Sequence, residues 1–507
     1  MCSSDLSYKA VIVPDMETIR STTVEILKKF HDDGGCVIFA GNCPEYVDAK
    51  ENTDIKALYD ECTHVPYTKT AILGSLKAYR RVEISNADGS KANDLLYNMR
   101  ADGNDTWLFI ARGFLPDADN AMHAGLAKES EAPRHIAVRL AGEFIPKLYD
   151  TVKGEIRDIP ARYENGETVI DYDLYYSDSL LLKLTPGKKE SAPVIKEAKA
   201  PDKVIRFNDK VEYERSEPNV LILDRAAFSL DGGAKHGEED ILKLDNICRR
   251  MLSWPYRGAG AQPWTLEPEK IGHYITLDFT VRSEIDYEGA LLAIEDLEKL
   301  KISFNGEDVP VRQVGYFADK AIKTVRLPKI KKGENTLTVK VPFGKRTNTE
   351  YCYILGEFNV KVEGVITTIV PKTDKIGFSP LKEQGMPFYG ANITYIAEIE
   401  TEECTLVIDA NYYRGALIGV SVDGADAGNI VYSPYNLKIS GVSKGRHRVE
   451  FTLCGTRINT FGGLHNIMQP KWVDLGFWRS EGDNWCYEYV LKDTGILRSP
   501  IIKVYNK

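Results

Sequence analysis

The 507-residue sequence lacks any long apolar stretch. No uninterrupted hydrophobic run exceeds about five residues, whereas a membrane-spanning helix needs around twenty. The first residues, Met1 to Leu6, also lack the basic start and the apolar core of a secretory signal. We therefore expect a soluble protein that is cytoplasmic, or one whose true beginning is missing from this chain.

Two further absences exclude classes of site and partner. The nine cysteines are odd in number, are scattered from Cys2 to Cys486 and form no C-x-x-C pair, which argues against a disulfide framework and a zinc site. The formal net charge is −9, so the chain has no basic excess with which to bind a phosphate backbone. We expect neither a nucleic-acid partner nor a membrane partner.

The N-terminal part shows an α/β pattern. The apolar run 9–14 predicts a buried strand, Asp15 is a candidate cap for a helix that continues at helical spacing to Phe30, and 36–40 predicts a second buried strand. This is one βαβ unit, and later helical stretches and the apolar run 107–111 continue the pattern. We predict an α/β domain over residues 1–130.

From residue 134 onward the pattern changes to strands. Alternating runs separated by turn residues predict a small β-sandwich over 134–187, and the proline-rich and charge-rich stretch 188–205 predicts a linker. Farther on, Asn305-Gly306 and Asp423-Gly424 follow similar strand-like stretches at an offset of 118 residues. Because both dipeptides favour tight hairpin turns, we predict two similar β-sandwiches, 206–364 and 365–507, and β structure throughout after residue 130.

Family resemblance enters through these same stretches. Residues 8–15 and 33–41 resemble the flavodoxin-like domain that follows the catalytic barrel in family 42 β-galactosidases and family 106 α-L-rhamnosidase-like proteins. Residues 148–156 and 179–184 resemble the small β module that comes next in such enzymes. Three later stretches are similar to the galactose-binding-like jelly rolls known as family 2 sugar-binding domains: 322–341, 384–395 and 455–466. The implied fold is multidomain, a flavodoxin-like α/β domain, a small β-sandwich and two jelly-roll sandwiches.

The same resemblance implies what is missing. The families carry a (β/α)8 catalytic barrel of about 250 residues ahead of the flavodoxin-like domain, and only seven residues precede the first strand here. The resemblance thus implies the accessory, carbohydrate-binding region of a glycoside hydrolase that acts on plant or host glycans, with α-L-rhamnosidase-like activity as one candidate. Its expected partners are carbohydrate and a catalytic barrel domain. The alternative is a stand-alone lectin-like protein.

Two chemical alternatives have weaker support. Cys43 follows a predicted parallel strand, where a nucleophile could be presented, but Glu45 occupies the place where a nucleophile elbow needs a small residue. The loops 102–105 and 423–426 offer oxygen atoms for calcium without the spacing of a calcium loop. We predict no cofactor, with calcium kept as an alternative, and no catalytic residue in this chain.

The last part of the chain concentrates aromatic and polar residues. Sugars stack their apolar faces on Trp and Tyr, and their hydroxyl groups bond to Asn, Arg or His at the rim. The predicted carbohydrate-binding residues are Arg457, Asn459, His465, Asn466, Trp478 and Trp485. The alternative is that Arg457 and Asn459 satisfy backbone groups within their loop while His465 packs against a neighbouring domain.

Overall fold

The structure is a computed structural model that describes residues 8–51, 53–113, 133–175, 178–189, 199–256, 269, 271–467 and 482–507. The chain forms two compact units, an N-terminal one that ends before residue 196 and a C-terminal one that continues to residue 507. No helix in the described ranges is both long and apolar enough to cross a membrane.

The N-terminal unit begins with a small parallel sheet. Its elements are β1 (Ala10–Pro14), β2 (Thr18–Ile19), α1 (Ser21–Asp32), β3 (Cys36–Ala40), β4 (Tyr46–Val47), β5 (Lys50–Glu51), α2 (Asp54–Glu61), β6 (Thr63–Val65) and α3 (Lys69–Ser75). Strands β1, β3 and β6 are parallel and lie in that order, with Val13, Leu27 and Phe39 in the core beneath the helices. The predicted βαβ unit is confirmed.

The predicted helix start is wrong. Helix α1 begins at Ser21, and its N-cap residue Arg20 makes no side-chain capping bond. The Asp15 carboxylate instead accepts a hydrogen bond from the backbone N–H of Asn42 at 2.9 Å. A carboxylate can satisfy free backbone N–H groups at a strand end as well as at a helix start, and the local pattern does not separate the two cases.

A β-sandwich completes the N-terminal unit. Its strands are β7 (Val82–Asn86), β8 (Leu96–Asp102), β9 (Asp105–Ala111), β10 (Arg134–Ala141), β11 (Phe144–Asp150), β12 (Glu155–Asp158), β13 (Arg162–Glu164), β14 (Glu167–Leu174) and β15 (Ser179–Pro186). One sheet has the order β13-β14-β10-β7 and the other β12-β11-β15-β9-β8, with antiparallel neighbours. The predicted domain limit at residue 130 separates strands that pair with each other, such as β7 with β10 and β9 with β15. The sequence did not predict this pairing, because a strand's own sequence does not specify its partner.

The C-terminal unit contains two further sandwiches. The elements of its first part are β16 (Lys203–Arg206), β17 (Val211–Arg215), β18 (Asn219–Leu223), β19 (Arg225–Leu230), β20 (His236–Asp240), α4 (Ile241–Met251), β21 (His273–Ser283), β22 (Leu291–Ile294), β23 (Lys301–Phe304), β24 (Glu307–Asp308), β25 (Gly315–Phe317), β26 (Asp319–Arg326), β27 (Gly333–Phe343), β28 (Cys352–Gly356), β29 (Asn359–Glu363) and β30 (Ile366–Val370). The second part contains β31 (Lys375–Ile376), β32 (Ile393–Thr401), β33 (Cys404–Asp409), β34 (Tyr413–Arg414), β35 (Ile418–Val422), β36 (Ala425–Ile430), β37 (Asn436–Val442), β38 (Gly445–Leu453), α5 (Ile458–Phe461), β39 (Gly495–Ile496) and β40 (Ile501–Asn506).

The two sandwiches repeat one topology. In one sheet the order β21-β27-β23-β24 corresponds to β32-β38-β35-β36, and in the other β18-β28-β22-β26 corresponds to β16-β40-β33-β37. The hairpin turns at Asn305-Gly306 and Asp423-Gly424 join equivalent strands, and all four residues have positive φ angles between 51° and 83°. These matching strand orders and turns confirm the predicted repeat. Asn-Gly and Asp-Gly occur at the turns because they readily adopt the backbone conformation that a two-residue hairpin turn requires.

The chain enters the second sandwich before it builds the first. Strand β16 pairs with β40, and β17 pairs with β31 and β32. Residues 203–215 therefore belong by pairing to the C-terminal sandwich, and the first sandwich is inserted into it. The predicted domain limit at residue 206 falls inside β16, a strand of the second sandwich. Strand pairing over such sequence distances leaves no local signal by which the sequence could have predicted it.

Helix α4 departs from the prediction of β structure throughout after residue 130. Asp240 caps it by accepting hydrogen bonds from the N–H groups of Leu242 and Lys243 at 2.9 and 3.2 Å. Ile241, Leu244 and Cys248 are fully buried in the core of the first sandwich. An N-cap aspartate followed by apolar residues at helical spacing is the signal that the sequence reading missed.

Candidate functional site

The 454–494 segment connects β38 to β39 and has no equivalent in the first sandwich. The corresponding connection there, between β27 and β28, spans only residues 344–351. Although the segment follows the second sandwich in sequence, Phe461, Leu464, Tyr489 and Leu491 pack with the core of the first. It contains all six predicted binding residues, and Trp478 lies outside the described residues.

His465 anchors this segment through a buried ion pair. Its Nε2 lies 2.9 Å from Oδ2 of Asp224, and its Nδ1 lies 3.1 Å from the carbonyl oxygen of Glu488. Tyr489 donates a hydrogen bond to the other Asp224 oxygen at 2.8 Å. Because both ring nitrogens face acceptors, we assign His465 as the doubly protonated imidazolium. Burial lowers its pKa, but the hydrogen bond to Asp224 and the charges of Asp224 and Asp240 outweigh burial and raise it.

A second buried carboxylate lies beside this pair. Asp240 caps α4 and accepts a hydrogen bond from the hydroxyl of Tyr351 at 3.3 Å. Burial and the nearby charge of Asp224 raise the pKa of Asp240 to about 6. Glycosidases use two carboxylates that face a substrate cleft, whereas Asp224 and Asp240 are 2% and 0% exposed. This arrangement serves to hold the segment and leaves no room for a sugar at either carboxylate.

Asn459 and Arg457 make separate attachments. The buried Asn459 side chain donates to the carbonyl of Lys492 at 2.8 Å and accepts from the Lys492 N–H at 2.9 Å. Arg457 donates to Glu217 at 2.5 Å, and its guanidinium lies 5.4 Å from the ring centroid of Phe317. For Asn459 this is the role that the alternative interpretation gave it, satisfaction of backbone groups in its own loop.

A group of partly exposed side chains near His465 forms an aromatic rim, which we define as Arg225, Glu239, Lys243, Trp485 and Tyr487. The Trp485 and Tyr487 rings are 4.5 Å apart and edge to face, and Lys243 Nζ lies 3.2 Å from the Trp485 centroid. The Tyr487 hydroxyl donates to Glu239 at 3.1 Å. Trp485 also lies 5.5 Å from the His465 ring. The buried anchor therefore supports the rim from beneath.

The structure brings three of the predicted residues together. His465, Asn466 and Trp485 are neighbours, and an isolated backbone bridge joins Asn466 to Trp485. Arg457 and Asn459 bond to other partners, Glu217 and Lys492. The sequence reading missed Arg225, Glu239 and Lys243, because these residues lie on β19, β20 and α4 of the first sandwich, more than two hundred positions away. A half-buried lysine on a helix, such as Lys243, carries no functional signal in the sequence.

The weaker chemical alternatives can be placed as well. Among the described residues no group of three or more His, Cys, Asp or Glu side chains could hold a metal ion. In the two candidate calcium loops, Asp102 accepts from Trp107, and Asp423 pairs with His447. Burial raises the pKa of the Cys43 thiol, which disfavours the nucleophilic thiolate.

Comparison with known proteins gives distant structural matches only. No protein-family model and no curated protein sequence matches the chain. A rhamnosidase from Novosphingobium sp. PP1Y matches over 94% of this chain with 12% identity and a TM-score of 0.41, and this chain spans 32% of its length. A Paenibacillus xanthan lyase matches over 87% of this chain and 40% of its own, with 10% identity and a TM-score of 0.13. PNGF-II matches over 84% of this chain and 98% of its own, with 9% identity and a TM-score of 0.11.

Proposed function

We propose that this chain is the accessory, carbohydrate-binding region of a glycoside hydrolase that acts on plant or host glycans, with α-L-rhamnosidase-like activity as one candidate. In this proposal the parallel sheet is a flavodoxin-like module, and the two C-terminal sandwiches are galactose-binding-like modules. The catalytic barrel is a partner domain. A stand-alone lectin-like protein is the second candidate, and it would use the same binding surface.

The aromatic rim is the observation that carries the proposal. Two aromatic rings offer apolar faces and edges for sugar C–H groups, while Arg225, Glu239 and Lys243 surround them with donors and acceptors for hydroxyl groups. Tyr487 is 42% exposed, so a ligand can reach its ring. Lys243 covers one face of Trp485, and we propose that its ammonium moves from the ring to a sugar hydroxyl when the ligand binds.

Exposed apolar side chains in the N-terminal unit favour the accessory role over the lectin. Leu96 and Phe109, on the neighbouring strands β8 and β9, face the same side of their sheet and are 53% and 42% exposed. Adjacent exposed apolar residues of this size are typical of surfaces that dock another protein. A catalytic barrel is the partner that the proposal assigns to this surface.

Sugar titration of Tyr487→Ala tests the rim. The titrants are oligosaccharides of rhamnose, galactose and glucuronic acid, and we expect the wild-type chain to bind at least one of them. The variant should bind it about tenfold more weakly, since one aromatic contact contributes roughly 0.5–1.5 kcal/mol beyond its buried area. Tyr274→Ala is the matched control, because Tyr274 is 44% exposed and Lys340 Nζ lies 4.7 Å from its ring centroid. Equal binding by wild type and Tyr487→Ala would contradict the proposal.

An activity assay tests the accessory role. Because the proposal assigns the catalytic carboxylates to a barrel domain outside this chain, we expect no turnover of aryl rhamnosides, galactosides or glucuronides by this chain alone. Turnover that disappears on substitution of a single Asp or Glu within the chain would contradict the accessory role and make the chain an enzyme.

A further inference from the structure

A cluster of three cations lies where the 454–494 segment returns to the second sandwich. We define the cation cluster as Lys382, Arg414 and Lys492. Arg414 lies in β34, opposite Gly495 of β39. Lys382 Nζ contacts the Leu491 carbonyl at 3.2 Å and the Asp493 carboxylate at 2.8 Å. The Lys492 backbone is fixed by two hydrogen bonds with the buried Asn459 side chain, which donates one and accepts the other.

The cation cluster has fewer counter-charges than cations. Asp493 is the only carboxylate that forms an ion pair with any of the three within the described ranges, and it pairs with Lys382. In the same ranges the side chains of Arg414 and Lys492 make no hydrogen bond or ion pair with protein groups, and Arg414 Nε is buried without a partner. A buried donor that lacks a partner costs roughly 1–3 kcal/mol. In a protein of net charge −9, this concentration of positive charge is a local exception.

The electrostatics of Lys492 agree with this geometry. Burial lowers its pKa, and the positive charges of Arg414 and Lys382 lower it further. Burial is also the largest cause of the lowered pKa of Arg414. Three like charges that share a single carboxylate, Asp493, destabilise one another, and a bound anion would oppose that effect. Groups with perturbed pKa values are enriched at functional sites.

We propose that the cation cluster binds the carboxylate of an acidic saccharide, with Arg414 and Lys492 as the contacting groups and Asn459 as a positioning residue. A carboxylate would accept hydrogen bonds from both free side chains and complete the charge balance. The saccharide part of this inference rests on the proposed carbohydrate-binding function, whereas the oxyanion part stands on the cluster itself.

Calorimetric titration of the full chain tests the inference. Sodium glucuronate, glucose and sodium sulfate are the titrants at low ionic strength, where charge interactions are least screened. We expect glucuronate to bind at least about tenfold more tightly than glucose or sulfate. Lys492→Met and Arg414→Gln should each weaken glucuronate binding by about tenfold, the loss of one charged hydrogen bond. Lys438→Met, which removes an exposed lysine from the same sandwich, should bind like wild type.

The outcomes separate this inference from the proposed function. Equal affinity for sulfate and glucuronate would overturn the saccharide assignment, and unchanged glucuronate binding by Lys492→Met would overturn the site. Absence of glucuronate binding would overturn the saccharide part, and absence of both glucuronate and sulfate binding would overturn both parts. The rim is tested by Tyr487→Ala and the cation cluster by Lys492→Met and Arg414→Gln, so the two sites can fail independently.

An NMR measurement on the wild-type chain tests the same site without depending on the binding affinity of a variant that folds poorly. After reductive methylation with a carbon-13 label, the lysine signal absent from Lys492→Met identifies Lys492. We expect this signal to titrate at lower pH than is usual for a lysine, and to titrate at higher pH once glucuronate is added. A Lys492 signal that does not respond to glucuronate would contradict the inference.

Discussion

The equivalent hairpin turns of the two C-terminal sandwiches have the same backbone geometry but are held by different side-chain interactions. In the first sandwich, Asn305 accepts a hydrogen bond from the N–H of Thr336 and donates to Asn335, both at 2.9 Å. In the second, Asp423 accepts from the N–H of Arg448 at 2.8 Å and pairs with His447 at 2.7 Å. The backbone geometry is shared, but a neutral amide pair has become a titratable pair. The repeat preserves the fold and leaves the charges free to change.

The sandwiches also differ in the connection that carries the candidate sites. Residues 344–351 join two strands of the first sandwich directly, whereas the equivalent connection of the second includes the 454–494 segment. This segment provides the buried His465 anchor, Trp485 and Tyr487 of the aromatic rim, and Lys492 of the cation cluster. The candidate sites that distinguish the second sandwich therefore lie in a connection, and loops tolerate insertions better than paired strands do.

The largest expected effect distinguishes the two histidine–aspartate pairs. His465→Ala should lower the free energy of unfolding of the C-terminal unit by about 3–5 kcal/mol, because it leaves the Asp224 carboxylate buried without its charged partner. His465 and Asp224 side chains are both 3% exposed. Urea denaturation followed by fluorescence measures the loss.

His447→Ala is the matched control for this substitution. His447 is equally enclosed, at 6% exposure, but its partner Asp423 is 52% exposed and water can solvate the carboxylate that remains. The loss should therefore be clearly smaller than for His465→Ala. Equal losses in the two variants would show that the buried pair is no stronger an anchor than the turn pair.

Asp240 should give the next largest effect, a dependence of the free energy of unfolding on pH. Its folded-state pKa of about 6 lies above the usual 3.8, so folding favours the protonated carboxyl. Stability from this group is greatest below pH 3.8 and is lost as pH rises to about 6, by on the order of 3 kcal/mol. Asn keeps the helix cap and cannot titrate, so the stability of wild type relative to Asp240→Asn should fall across this window.

Asp278→Asn is the control of opposite sign. Burial raises the pKa of Asp278, but hydrogen bonds from Lys235 and Thr338 outweigh burial and lower it. Its contribution should therefore be lost as pH falls rather than as it rises. Urea denaturation at a series of pH values measures both differences, and a flat difference curve for Asp240→Asn would contradict the account of the buried network.

The smallest expected effect concerns the Asp423–His447 pair in the hairpin turn of the second sandwich. The hydrogen bond to Asp423 is the main cause of the raised pKa of His447, so its stabilisation is present below pH 6.5 and is lost as pH rises through the folded-state pKa. The pKa of Asp423 is lowered by the bond from His447, so that contribution is lost as pH falls below 3.8. The double variant Asp423→Asn, His447→Asn recreates the amide pair of the first sandwich.

We expect this double variant to remove the pH-dependent contribution that Asp423 and His447 make to stability. Thermal unfolding monitored between pH 6 and pH 8, relative to wild type, measures it. The effect should be small because Asp423 is half-exposed. If the double variant and wild type show the same change of melting temperature with pH, the pair does not titrate in this way.

Local signals predicted some parts of this molecule and non-local contacts determined the rest. Asn305-Gly306 and Asp423-Gly424 identified equivalent turns, because the φ angles of a tight hairpin depend on those residues alone. The pairing of β16 and β17 with the second sandwich has no local signature. His465 was found as a polar residue in an aromatic stretch, but Asp224, 241 positions away, was not. The sequence reading therefore identified the segment and missed what holds it.

Hydrogen–deuterium exchange with and without a bound oligosaccharide tests the central claim most directly. That claim is that the segment unique to the second sandwich forms the carbohydrate site. Ligand at saturating concentration should slow exchange at residues 482–494 and leave the equivalent connection of the first sandwich, 344–351, unchanged. Slowed exchange at 344–351, or none at 482–494 while the ligand is bound, would contradict the claim.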